Sequence, residues 1–299
     1  MPGESRRYAL LGLGVVAISC AAVLVRLAAA PPLAVAAGRL AIGSLILLPW
    51  ALLRHRSEFL SLVVNHTWLV ALAGLFLAVH FAVWVVSLSL TSVASSVVLV
   101  TSSPIFVALA SYVAFGERLR RATFVGIGLC IVGALVIGYG GWSVGPEALK
   151  GDVLALLAAL AMAGYLLVGR RLRPTVGLLP YATAVFSVAA VVLVFAAAVS
   201  GTPVAGYETN TYLMILLLAL IPLLIGHMSL NWALRFLPAT MVTVAVLGEP
   251  VGATLLAIPI LSEVPTTGEI GGAVLILAGI AVAFGRGGLR RDDRAGSTV

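Results

Sequence analysis

Ten continuously apolar runs, separated by short polar connections, fill almost the whole chain. They cover approximately 8–29, 33–53, 68–88, 92–115 and 122–139, and then 152–168, 178–199, 212–234, 239–261 and 270–284. A helix rising 1.5 Å per residue needs about 20 apolar residues to cross a hydrocarbon core of roughly 30 Å, and these runs fit that requirement. None alternates with period two, so the pattern predicts helices rather than barrel strands. The connections leave no room for a separate soluble domain. The expected fold is an all-α integral membrane protein of ten transmembrane helices.

Composition agrees. Hydrophobic residues make up 62% of the 299 positions and charged residues 10%, too few charges to cover a soluble surface of that size. The formal charge of +7 does not point to nucleic acid, because the basic residues sit in short clusters between apolar runs. Arg6 and Arg7 precede the first run, Arg54 and Arg56 follow the second, and Arg118, Arg120 and Arg121 follow the fourth. Arg170, Arg171 and Arg173 follow the sixth, Arg235 the eighth, and Arg286, Arg290, Arg291 and Arg294 the tenth. The alternate connections carry only Lys150, beside Glu147, Glu208, Glu263 and Glu269. The positive-inside rule then predicts cytoplasmic termini, and the expected location is a bacterial inner (plasma) membrane. Ser5-Arg6-Arg7 and Ala28-Ala29-Ala30 resemble an export signal and its cleavage site, but nine further spans favour an uncleaved first helix. Cys20 and Cys130 fall inside runs and read as small buried hydrophobes, with no disulfide framework.

The two halves repeat. Pro104 and Pro250, Glu117 and Glu263, Gly126 and Gly272, and Gly133 and Gly279 are each 146 apart. The expected units are 1–145 and 146–299, the second ending in a short cytoplasmic tail. Five spans per half, an odd number, invert the second half in the membrane. The loop Gly116-Glu117-Arg118-Leu119-Arg120-Arg121 is basic, whereas its counterpart Ser262-Glu263-Val264-Pro265 is not, as inversion requires. Inverted repeats around a central cavity are a signature of secondary transporters, because two such bundles can exchange conformations and open alternately to either side.

With a proline in the fourth and ninth helices and the turn Phe115-Gly116-Glu117-Arg118, the chain resembles the EamA family of the drug/metabolite transporter superfamily over essentially its whole length. Ser262-Glu263-Val264 departs from that turn in the second half. The resemblance implies ten helices and export of small metabolites, and its aromatic amino-acid exporter branch is the nearest likeness.

Candidate cavity residues follow from depth and helical face. Glu249 lies about 16 Å into its helix, near the midplane, and is the one carboxylate read as deep; it would serve as proton carrier or partner for a substrate amine. A neutral structural acid, bonded to backbone carbonyls freed by Pro250, is the competing reading. Ser103, beside Pro104, is its repeat mate, and both prolines would break their helices and open polar backbone to a cavity. Ser92, Ser96 and Ser103 share a face, for pore lining or for packing. His80, Trp84 and Ser87 form a polar face on the third helix, as do His227 and Asn231 on the eighth; interhelical hydrogen bonding is the alternative. Tyr165, near the midplane of the sixth, would stack on a substrate ring. Trp50, Trp68, Trp142 and Trp232 read as interfacial belt residues. Arg26 would snorkel to headgroups, and Arg39 would hold a carboxylate in an outer vestibule or a lipid phosphate. Gly126, Gly128, Gly133, Gly271, Gly272 and Gly279 read as close-packing surfaces.

No HExxH, GxSxG or Walker motif occurs, which argues against an intramembrane enzyme and against a nucleotide-powered pump. No metal or cofactor is expected. The expected function is secondary export of small metabolites, amino acids (aromatic or other neutral) foremost, by a monomer or weak homodimer. A lipid or polyamine/drug carrier is the alternative within transport.

Overall fold

The computed structural model describes residues 4–115, 121–173, 175–233 and 245–284. The turn at Gly116-Glu117-Arg118, Arg120, Arg235 and the basic segment from residue 285 onward lie outside the described residues. Among those described, the regular structure is helical throughout. Seven spans among the described residues are long and apolar enough to cross a membrane: Tyr8–Leu27, Pro32–Arg54, Thr67–Leu90, Val93–Ala110, Pro146–Leu172, Leu178–Val199 and Thr209–Ala233. Three shorter apolar helices, Arg121–Ile137, Gly248–Leu261 and Thr267–Ala283, supply the fifth, ninth and tenth. Leu53, Phe195, Val199 and Leu135 are left exposed on the outer surface, an apolar exterior suited to lipid and not to water.

One connection is itself a helix. Arg56–Asn65 joins the second and third spans and seats Phe59 and Leu62 in the core, although its apolar residues are too few to form a spanning run. Its Glu58 carboxylate accepts a hydrogen bond from the Gly177 N–H, the residue preceding Leu178–Val199. A carboxylate from elsewhere in the chain thus caps the start of the seventh span, where unsatisfied N–H groups and the positive end of the helix dipole favour an acid.

The closest helix crossing is between the fifth and tenth spans, and glycine makes it. Gly126 stands against the Gly279 carbonyl and Gly133 against the Gly272 carbonyl; a Cβ on Gly133 would lie 2.7 Å from that oxygen. Each glycine therefore packs on the repeat mate of the other, in an antiparallel crossing with the reciprocity of a two-fold axis. Cys130, at the centre, donates its thiol to the Ile276 carbonyl at 3.4 Å, and these two residues are also 146 apart. Gly128 and Gly271, grouped with the packing glycines on sequence, meet nothing within 4 Å. The main core lies between the third, sixth and seventh spans, where Gly164 admits the Phe76 ring, Gly74 receives Val188, and Ala158 and Ala159 are fully buried.

Besides a turn at Cys20 that divides the first span into Glu4–Ser19 and Ala21–Leu27, three interruptions, each beside a proline, shape the interior. The fourth span divides into Val93–Val100 and Ser103–Phe115, with a turn at Thr101 and Ser102. The ninth has its turn at Leu247, just before Gly248–Leu261. Each turn starts three residues before a proline, Pro104 or Pro250, whose ring lacks an N–H and crowds the carbonyl four residues back. The eighth span widens into a π-helical segment, Ala219–His227, around Pro222. Such segments expose backbone groups and turn side chains out of the regular helical register.

Candidate functional site

The interruptions converge on a central cavity of about 220 Å³. His80, Trp84, Ser103, Pro104, Tyr165, His227, Asn231 and Glu249 all stand on its wall, drawn from the third, fourth, sixth, eighth and ninth spans. Pro250 is buried beside Glu249 but is not part of the wall. Ser92 and Ser96 are not on it either. Ser96 hydrogen-bonds Ser87 at 2.8 Å, tying the third span to the fourth, and Ser92 caps the fourth span by accepting from the Ser95 N–H. Of the proposed serine face, only Ser103 reaches the cavity.

The third span supplies the densest part of the wall. His80 Nδ1 lies 2.9 Å from the Ala158 carbonyl of the sixth span. A carbonyl can only accept, so Nδ1 carries the hydrogen and Nε2 remains for another partner. The imidazole lies parallel to Trp84, 4° between planes and 6.4 Å between centroids. Phe81 meets the His80 ring edge-on at 4.8 Å and the His227 ring at 6.2 Å, so the two histidines share one aromatic partner. Tyr165 packs on Tyr181 at 26° and 6.2 Å. The interhelical bond of His80 and its position on the wall coexist in one side chain.

Arg39 stands elsewhere than its sequence position suggests. It sits neither in a vestibule nor at a headgroup: it is fully buried in the cavity wall, its guanidinium carbon 4.2 Å from the Phe81 ring centre and 6.0 Å from that of Trp84. Its Nε, Nη1 and Nη2 have no hydrogen-bond partner, and neither does Trp84 Nε1. Glu249 stands on the same cavity wall as Arg39, without an ion pair between them. A buried cation without a hydrogen-bonded partner is costly, so its presence on this wall demands a reason.

A second polar cluster ties several spans together at one end of the bundle. Arg26 donates to Glu263 Oε1 at 2.6 Å and to the Thr91 carbonyl at 3.2 Å, and so does not snorkel free. Glu263 Oε2 accepts from the Val93 N–H at 2.9 Å, and Ser92 donates to Glu269. Asp152 accepts from Thr91 Oγ1 at 2.8 Å and from Ser95 Oγ, and is only 3% exposed. Asp152, read from sequence as the first residue of its span, is thus a second carboxylate removed from solvent, toward the end of the bundle, inside a helix that starts at Pro146. These bonds join the first, third, fourth, sixth, ninth and tenth spans at one end. Among the described residues, no cluster of three or more His, Cys, Asp or Glu is suited to a metal ion.

Comparison with known proteins gives a consistent picture. The model of the EamA-like transporter family matches twice, at residues 7–139 and 149–285. A Clostridium kluyveri protein described as an uncharacterized transporter is 24% identical over 253 residues, 81% of this chain and 80% of its own. The Bacillus subtilis protein YdfC, also described as an uncharacterized transporter, is 25% identical over 187 residues, 62% of this chain and 60% of its own. A solved crystal structure superposes with a TM-score of 0.66, covering 94% of this chain and 97% of that one at 21% identity, a likeness of fold.

Proposed function

We propose that this chain, which belongs to the EamA-like transporter family, is a secondary transporter that exports neutral amino acids, aromatic ones included, by alternating access through the central cavity. It is a multi-pass membrane protein and a transporter of small substrates; the amino-acid substrate and the outward direction are our reading. One observation carries it. The cavity lies where the two proline-interrupted helices and the π-helical segment meet, and its wall mixes apolar and aromatic rings with His80, His227, Asn231 and Glu249. A small zwitterion with an apolar side chain needs that mixture, whereas a lipid acyl chain needs no such polar groups. A polyamine would meet the buried positive charge of Arg39.

In this reading the units 1–145 and 146–299 are inverted halves rocking about the glycine crossing of the fifth and tenth spans. Both termini face the cytoplasm, so the cluster of Arg26, Thr91, Asp152 and Glu263 is an external closure. Substrate enters from the cytoplasm, the breaks at Thr101 and Leu247 let the fourth and ninth helices bend, and the external bonds part as the internal end closes. The protein works as a monomer or weak homodimer in a bacterial inner membrane. The test is counterflow in proteoliposomes: saturable exchange of labelled phenylalanine or leucine, competed by other neutral amino acids, is expected. Exchange of polyamines in its place would replace this reading.

A further inference from the structure

We infer that Arg39 is the anchor for a carboxylate on the transported molecule, with Trp84 Nε1 as the adjoining neutral donor. This rests on the transport reading above and deepens it. The unpartnered polar atoms on this side of the cavity, Nε, Nη1 and Nη2 of Arg39 and Nε1 of Trp84, are all donors. A guanidinium presents a planar fork that a carboxylate fills with two parallel hydrogen bonds, and an indole N–H can only donate. These four unpartnered donors, side by side, call for a ligand group that supplies acceptors.

Charge balance narrows the class. Arg39 is held over the Phe81 face at 4.2 Å and shares the cavity wall with Glu249, but hydrogen-bonds to neither. One cation and one carboxylate in an apolar chamber match a molecule carrying one of each, its carboxylate on Arg39 and its ammonium toward Glu249. A phosphate dianion would leave excess negative charge beside Glu249, where little water can screen it. A purely structural arginine, by contrast, would be expected to hydrogen-bond protein acceptors, as Arg26 does through Nη2 to the Thr91 carbonyl and the Glu263 carboxylate at the far end.

The experiment measures thermal unfolding of the purified full-length protein in detergent with four probes. These are L-phenylalanine, phenylalaninamide, 3-phenylpropionate and phenyl phosphate. Phenylalanine should stabilise the protein most and 3-phenylpropionate less, while phenylalaninamide, lacking the carboxylate, should bind at least tenfold more weakly. Arg39→Met should abolish the preference for acid over amide while melting, without ligand, at or above the wild-type temperature. Arg39→Lys, a point charge without the fork, should retain a weakened preference. An amide that binds as well as the acid, an unchanged preference in Arg39→Met, tighter binding of phenyl phosphate, or no binding by any probe would overturn the assignment. So would an Arg39→Met protein that melts well below wild type, since that marks a structural role. Binding of phenylalanine without counterflow would instead overturn the transport reading and leave the anchor standing.

Discussion

Replacing Gly133 by alanine should weaken the fifth–tenth helix crossing, and the structure sets how much. The added Cβ would lie 2.7 Å from both the Gly272 carbonyl oxygen and Ile276 Cγ1, and 3.0 Å from the Ile276 nitrogen, where ordinary contact begins at 3.4 Å. Two of these neighbours are helix backbone and cannot swing aside. The helices must separate by about 0.7 Å, a gap that forfeits a quarter to a half of each close contact along the seam. Overpacking of this kind costs about 1–3 kcal/mol. Gly128 lies on the same helix, Arg121–Val144, and a Cβ added there would meet nothing within 4 Å, so it serves as the internal control. Both substitutions gain the same helix propensity, about 1 kcal/mol, so it cancels in the comparison. Gly133→Ala should therefore be less stable than Gly128→Ala by about 1–3 kcal/mol, read by unfolding in mixed micelles. Gly279→Ala, facing the Gly126 oxygen and Cys130 Sγ at 2.7 Å, should behave like Gly133→Ala. Equal stabilities for the Gly128 and Gly133 variants would refute the close crossing.

Other outcomes bear on the cavity and its closure. His80→Ala and Asn231→Ala should each lower counterflow while leaving the protein inserted and folded; wild-type rates in both would make these residues packing groups. If Glu249 carries a proton, Glu249→Gln should remove any dependence on a pH gradient yet spare exchange, and if it holds an ammonium the same change should weaken apparent affinity. A Gln variant identical to wild type in affinity, rate and pH dependence would make Glu249 structural. Arg26→Ala removes a partly exposed ion pair, so it should cost no more than about 1 kcal/mol of stability. It should nevertheless speed thiol labelling of a Ser103→Cys protein from the side that carries Arg26, and an unchanged labelling rate would show that the polar cluster does not close the cavity.

Much of the architecture is legible in the chain because a bilayer imposes one requirement: every spanning backbone must satisfy its own hydrogen bonds, so apolar runs become helices. The repeat is legible for a related reason, since prolines and glycines spaced 146 apart mark backbone breaks and close crossings whatever surrounds them. Counting residues along a helix gives depth, and depth suggests His80, His227 and Glu249 as interior groups. It does not give azimuth. Arg39 lies only seven residues into Pro32–Arg54, a depth that suits a vestibule, and only the packing of that helix shows that the side chain turns inward over Phe81. Gly128 and Gly271 fail for the same reason, being on the right helices and the wrong faces. Asp152 is hidden by a span boundary: Pro146 starts the helix well before the apolar run, so a residue that looks terminal is buried between Thr91 and Ser95. The helix Arg56–Asn65 escapes because Phe59, Leu62 and Val63, the apolar residues it turns to the core, make less than two turns of periodic pattern and lie far short of a membrane-crossing run. For the π-helical segment, Pro222 within an apolar run is the available signal.

The most direct measurement of the central claim is counterflow into proteoliposomes preloaded with unlabelled phenylalanine, with labelled phenylalanine outside and His80→Ala protein as the control. The account predicts transient, saturable accumulation of label with wild-type protein, competed by other neutral amino acids and reduced in the variant. No accumulation above protein-free liposomes, or accumulation that neither saturates nor responds to competing amino acids, would contradict it.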